Sequence, residues 1–265
     1  MTKASKIYTV LLFAFLYAPI IIMIIFSFNS SDSVGVMSGF SFKWYGELFK
    51  DSATLEALRN TLVLAVLSSV IATVMGTMAA VGINMMKRKW TQRLTMSVTN
   101  IPMMNPDIVT GISMMLLFVF VGALLNQTGV LGFWTVLIAH ITFNLPYVIL
   151  SVLPKLRQVD KHLPEAAMDL GCTPIKAFFK VVLPNIMPGI VTGLIMAFTL
   201  SLDDFVISYF NVGPAFQTLP IRIFAMTKKR VTPDIYALSA IIFVTILVLL
   251  LLINFSQKKE EKEAK

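Results

Sequence analysis

The chain has 265 residues, of which 57% are hydrophobic and 14% charged, and its formal net charge is +8. That balance excludes an ordinary soluble domain, because the apolar residues gather in blocks close to the roughly 20 residues a helix needs to cross a bilayer core. The basic excess does not indicate nucleic acid either: lysines and arginines sit in short segments between apolar blocks, where they orient a chain in a membrane.

Six spans are predicted, giving an all-α polytopic membrane protein. The first, 7–28, follows Lys3 and Lys6. Its core is too long for a secretory signal and no small-residue cleavage site follows, so it is kept as an uncleaved helix. The connection 29–60 carries SFKWYGELF. Its Trp44 and Tyr45 suit either the headgroup belt or the attraction of ammonium groups to aromatic faces. The second span covers 61–86 and the third 103–125, opening on MMNPDIVTGI. If Pro106 starts that helix, Asn105 caps it and Asp107 lies in the first turn, where the helix dipole favours an anion. An ionisable residue at membrane depth also marks a polar pathway, and Asp107 is assigned to one.

The fourth span, 131–153, holds His140 and Asn144 one turn apart, suited to interhelical hydrogen bonds, and Tyr147 after Pro146. The fifth, 185–202, runs into SLDDFVIS. Asp203 and Asp204 there stand at a helix C-terminus, where the dipole opposes carboxylates, and two adjacent like charges repel. Either they pair with Lys228, Lys229 or Arg230, or they form a cation site; capping does not account for them, and the cation site is preferred. The sixth span, 236–255, precedes a solvated charged tail, 256–265. Of 22 lysines and arginines, 15 fall on the side of the N-terminus. Both termini are therefore expected in the cytoplasm, against the run at Lys228 to Arg230. A lone Cys172 excludes an internal disulfide, and His140 and His162 lie too far apart, without neighbouring ligands, to suggest a metal site.

The inner segment 154–184 reads as two short helices. Pro164 and Glu165 suit a helix start, Gly171 its left-handed end, and Thr173 with Pro174 the cap and first position of a second helix ending at Pro184. Glu165-Ala166-Ala167, three residues, Gly171, nine residues, then Val181-x-Leu183-Pro184 resembles the EAA loop of ABC importer permeases, with Val181 where that family has isoleucine. The resemblance implies a type I importer permease domain of the MetI-like kind over 55–255, preceded by an N-terminal helix and loop, 1–54. In that family the loop docks on an ATPase subunit, so Glu165, Ala166, Ala167 and Gly171 become coupling residues. The sequence has no GxxxxGK[ST] phosphate loop. The resemblance places ATP and Mg on partner ATPase subunits and makes this chain a transport subunit without catalytic residues.

The stretches FNSSDSV, KWYGELF, MMNPDIVTGIS, AHITFNLPYV and FTLSLDDFVISYF further resemble the spermidine/putrescine permeases of the PotC type, over residues 17–255. This implies polyamine import across a bacterial cell membrane. It also implies three partners: a PotB-type second permease, a PotA-type ATPase homodimer and a PotD-type extracytoplasmic polyamine-binding protein. Asp107, Asp203, Asp204, Trp44 and Tyr45 would line the route. Another organic cation, an amino acid or a metal complex is the alternative cargo. A stand-alone secondary transporter would need paired inverted halves with matching interruptions, and an intramembrane enzyme a convergent nucleophile–base set; neither pattern is found.

Overall fold

The computed structural model describes residues 3–31, 36–160, 162–229 and 233–263. Lys161, Arg230 and Lys265, counted above for orientation, lie outside them, as do residues 32–35 of the FNSSDSV stretch. Among the described residues, five helices are long and apolar enough to cross a membrane, and a shorter apolar stretch, Pro233–Val248, falls at the sixth predicted span. The chain divides into two compact units, 1–56 with 222–265, and 57–221.

In the first unit, α1 (Lys3–Phe26) is apolar on every side. It packs with α12 (Pro233–Glu263), which also receives α2 (Lys43–Leu48). The charged tail continues the α12 helix as far as Glu263 rather than ending it. Between α1 and α2 the chain folds on Asn29, whose side chain donates to the Val36 carbonyl (2.8 Å) and accepts from the Ser38 N–H (3.0 Å). Phe28, Phe40, Phe42 and Tyr45 stack there with neighbouring ring centroids 5.2–6.1 Å apart.

The connection after the first span is shorter than expected, because α3 (Ser52–Met85) begins nine residues before the apolar run does. Asp51 caps it, accepting from the Ala53 N–H at 3.1 Å. The Thr54 hydroxyl first, and then the Arg222 guanidinium 3.0 Å away, hold the Asp51 carboxyl below its ordinary value against the opposing effect of burial. A group depressed on folding contributes stability above its unfolded pKa and loses it as pH falls through the folded one. The Ala53 amide is therefore expected to lose protection, relative to its intrinsic exchange rate, as the pH drops below the usual carboxylate range. Asp51→Asn should remove that pH dependence.

The second unit is built around α6 (Phe133–Gln158), whose main partner is α9 (Leu183–Asp203). Lipid provides no hydrophobic drive between helices, so close approach through small residues has to supply the packing. Gly189, Gly193, Ala197 and Ser201, four residues apart, are buried along α9. A Cβ at Gly189 would lie 2.9 Å from the Ser151 carbonyl oxygen of α6, and one at Gly193 3.3 Å from the Val148 Cα. Val148 meets α3 as well, since a Cβ at Gly76 would fall 2.6 Å from its Cγ1.

Two expectations are corrected here. Met103 and Met104 do not open the third span. They end an additional helix, α4 (Lys89–Met104), with Asn105 as its C-cap; α5 (Asp107–Leu124) then starts after Pro106, which takes the N-cap position. Nor does Pro184 stop the helix after Thr173. The helical path from Pro174 to Asp203 is unbroken: α8 (Pro174–Ala177) passes through a π-helical turn, Phe178–Val182, into α9. Proline has no N–H and crowds the preceding turn. Here the widened turn lets the Leu183 N–H reach Phe178 O, and the Asn185 side chain satisfies Val181 O at 2.7 Å.

Candidate functional site

The segment around Glu165 folds as its residues direct. Helix α7 (His162–Asp169) has Glu165 in its first turn, 3.2 Å from His162 Nδ1. Gly171 ends it at φ +87°. The Gly171 N–H donates to Met168 O (2.9 Å) and the Cys172 N–H to Ala167 O (3.0 Å), the paired bonds of a Schellman motif. Thr173 caps the next helix by accepting from the Lys176 N–H at 3.4 Å. Leu170 and Ile175 on either side of this turn are 88% and 71% exposed, so the loop presents apolar side chains where a packed helical pair would bury them.

The acids divide. Asp107 is exposed at the start of α5. Asp203, the last residue of α9, is exposed too. Asp204 turns inward: it accepts from the backbone N–H groups of Ile207 (3.2 Å) and Ser208 (2.7 Å), and so caps α10 (Val206–Asn211). Capping does therefore account for one member of the pair, contrary to the sequence reading, because the chain breaks at Asp204 and a second helix starts. The proposed partner Arg230 lies outside the described residues.

Asp204 also meets His140, whose Nε2 is 3.3 Å from its Oδ2 and 2.9 Å from Ser208 Oγ. His140 Nδ1 lies 2.9 Å from Ser201 Oγ, which Asn144 Nδ2 (2.9 Å) and Ser68 Oγ (2.8 Å) share. His140 and Asn144 thus make the interhelical bonds expected of them. Ser68 and Ser208 are not distinguishable by sequence; the four-residue spacing of small residues along α9 is a signal for Ser201 alone.

In the first unit Trp44 is 6% exposed and donates through Nε1 to the Asn29 carbonyl at 2.7 Å; Lys43 Nζ stands 4.5 Å over its ring. Tyr45 shares a hydrogen bond with Ser27 Oγ at 2.7 Å. Trp44, Glu47, Leu48, Asp51, Met226 and Asp234 line a cavity of about 250 Å³.

Residues 72–262 match the family described as the binding-protein-dependent transport system inner membrane component. The putrescine transport system permease protein PotI of Escherichia coli (strain K12) is 42% identical over 230 residues, covering 87% of this chain and 82% of that protein. The spermidine/putrescine permease protein PotC of the same strain is 38% identical over 240 residues, covering 91% and 88%. PotC of Haemophilus influenzae is 37% identical over 248 residues, covering 93% of each. Among solved structures, one chain of a bacterial ABC transporter that imports the acidic polysaccharide alginate aligns with a TM-score of 0.75 at 18% identity, covering 99% of this chain and 95% of that one. An amino acid ABC transporter chain aligns at 0.59 and 20% identity, covering 82% and 98%. These establish the type I, MetI-like importer permease architecture and a multi-pass inner-membrane location. The chain belongs to the family of inner membrane components of binding-protein-dependent transport systems.

Proposed function

We propose that this permease imports polyamines, forming half of the translocation path and drawing its energy from a separate ATPase. The observation that carries the cargo is the chain's 42% identity with a putrescine permease over most of its length. The exposed Asp107 and Asp203 support it: carboxylates in an apolar membrane unit favour a cationic cargo over an anionic one. The Lys43 ammonium already resting over Trp44 marks a ring face of the kind an alkylammonium group prefers.

Under this reading an extracytoplasmic binding protein delivers substrate to the outer face near Trp44 and Tyr45. The cargo crosses a path shared with a second permease past Asp203 and Asp204 and leaves by Asp107. ATP and Mg are held by an ATPase homodimer that grips Glu165, Ala166, Ala167 and Gly171 from the cytoplasm, where both termini also lie. The exposed Leu170 and Ile175 support such docking. Another organic cation remains the alternative cargo.

Labelled putrescine and spermidine uptake is the test, in cells lacking this chain and every other polyamine importer, with and without the chain restored. Restoration is expected to bring back uptake of at least one of the two. Uptake unaffected by the chain would remove the polyamine assignment and leave the family membership standing.

A further inference from the structure

Asp203 and Asp204 are adjacent in sequence and opposite in surroundings, one exposed and the other with a side chain only 9% exposed. Such a division needs something that decides which carboxylate turns in. The inward one ends in a buried chain of polar groups: Ser68 on α3, Asn144 and His140 on α6, Ser201 on α9 and Ser208 on α10, each 2% exposed or less. Groups this deep must be matched donor to acceptor.

Both ring nitrogens of His140 find partners there. An ionised carboxylate only accepts, so His140 Nε2 carries a proton toward Asp204 and Ser208 Oγ. His140 Nδ1 meets the Ser201 hydroxyl at 2.9 Å. Ser201 Oγ in turn accepts from Asn144 Nδ2 and shares a hydrogen bond with Ser68 Oγ, whose hydroxyl also reaches the Ala65 carbonyl at 3.3 Å. This arrangement satisfies the imidazole, the Ser68 and Ser201 hydroxyls and the carboxylate together. Ser208 contributes twice, its backbone N–H bonding Asp204 at 2.7 Å and its Oγ meeting His140 Nε2 at 2.9 Å.

From this we infer that His140 is a positioning residue for transport: it clamps Asp204 inward, sets the break between α9 and α10, and thereby leaves Asp203 as the carboxylate presented to a cationic cargo. The inference rests on the pathway reading above but divides the two aspartates between distinct roles. The imidazole ties α6 to the end of α9 and to α10, and the backbone at Asp204 (φ −63°, ψ 122°) is where the helix of α9 stops. Without the clamp Asp204 is free to leave the core, and the last turn of α9 loses the geometry that orients Asp203.

The test measures initial rates of labelled putrescine uptake against concentration, normalised to assembled transporter recovered by size exclusion, for D203N, D204N, H140L, H140Q and H140L/D203N. Loss of a charge-assisted contact predicts a KM raised about tenfold in D203N, and by a similar factor in D204N and H140L. H140L should add nothing in the D203N background. H140Q, which returns an N–H near the Nε2 position, should bring KM back toward the parent value. If H140L does not assemble, D204N and S208A interrogate the same clamp. A KM raised by D203N but unchanged by H140L and D204N would overturn the inference, as would effects confined to the amount of assembled transporter. An unchanged KM in D203N would instead sink the pathway reading on which it stands.

Discussion

Gly189→Ile is expected to abolish the folded permease, lowering recovered complex and uptake together by more than tenfold. At Gly189 even a methyl group would stand 2.9 Å from the Ser151 carbonyl oxygen and 2.8 Å from Lys155 Cγ. The lysine can swing aside, but a carbonyl in the middle of α6 cannot. A branched side chain must therefore separate α6 from α9, and overpacking costs about 1–3 kcal/mol even where neighbours partly relax. The separation would also lift Gly193 from Val148, which lies between α3 and α9 at 0% exposure. Gly82→Ala is the control, because its added Cβ meets nothing within 4 Å and alanine is the better helix former. Size-exclusion recovery of both variants from the same membranes decides the matter. Parent-level recovery of Gly189→Ile would show that the two helices do not approach through this stripe.

The second large effect is expected at Gly171. Its φ of +87° is a conformation that costs an ordinary L-residue about 1–2 kcal/mol, and a β-branched one more. No atom lies within 4 Å of its would-be Cβ, so the penalty is purely conformational and distance to neighbours plays no part. Gly171→Val should unwind the Schellman bonds to Met168 and Ala167 and so misplace Glu165 relative to Thr173. Uptake should fall more than tenfold and a co-expressed ATPase should no longer co-purify, while recovery of the permease itself stays at parent level. Gly171→Asn, whose side chain tolerates the left-handed region, should keep most activity. Full uptake by Gly171→Val would contradict the coupling role of this turn.

How far the sequence reading reached depended on whether the governing interaction was local. The spans were visible because a bilayer demands long apolar runs, and the Gly171–Thr173 turn because a left-handed glycine and a threonine–proline cap act on residues within five positions. The additional helix α4 escaped because its apolar side chains are interrupted by polar ones, so it forms no run. Pro184 was misread because a π-helical turn, which no single residue encodes, can absorb a proline. Asp204 looked equivalent to Asp203 because the histidine that distinguishes them lies on another span. Trp44 looked like a surface aromatic, and its indole N–H is instead committed to Asn29, fifteen residues away.

The unbroken helix from Pro174 to Asp203 has a mechanical consequence. Thirty residues at 1.5 Å each make a rod of about 45 Å, with the turn beside Gly171 at one tip and the carboxylate Asp203 at the other. A thrust on the first tip reaches the second without crossing a loop. The turn at Phe178–Val182 is the place along the rod where the hydrogen-bond register already departs from the α pattern, and such irregularities are where helices bend. Under the proposed coupling, stroke is therefore delivered lengthwise, and any twist is taken up at the end nearest the Gly171 turn.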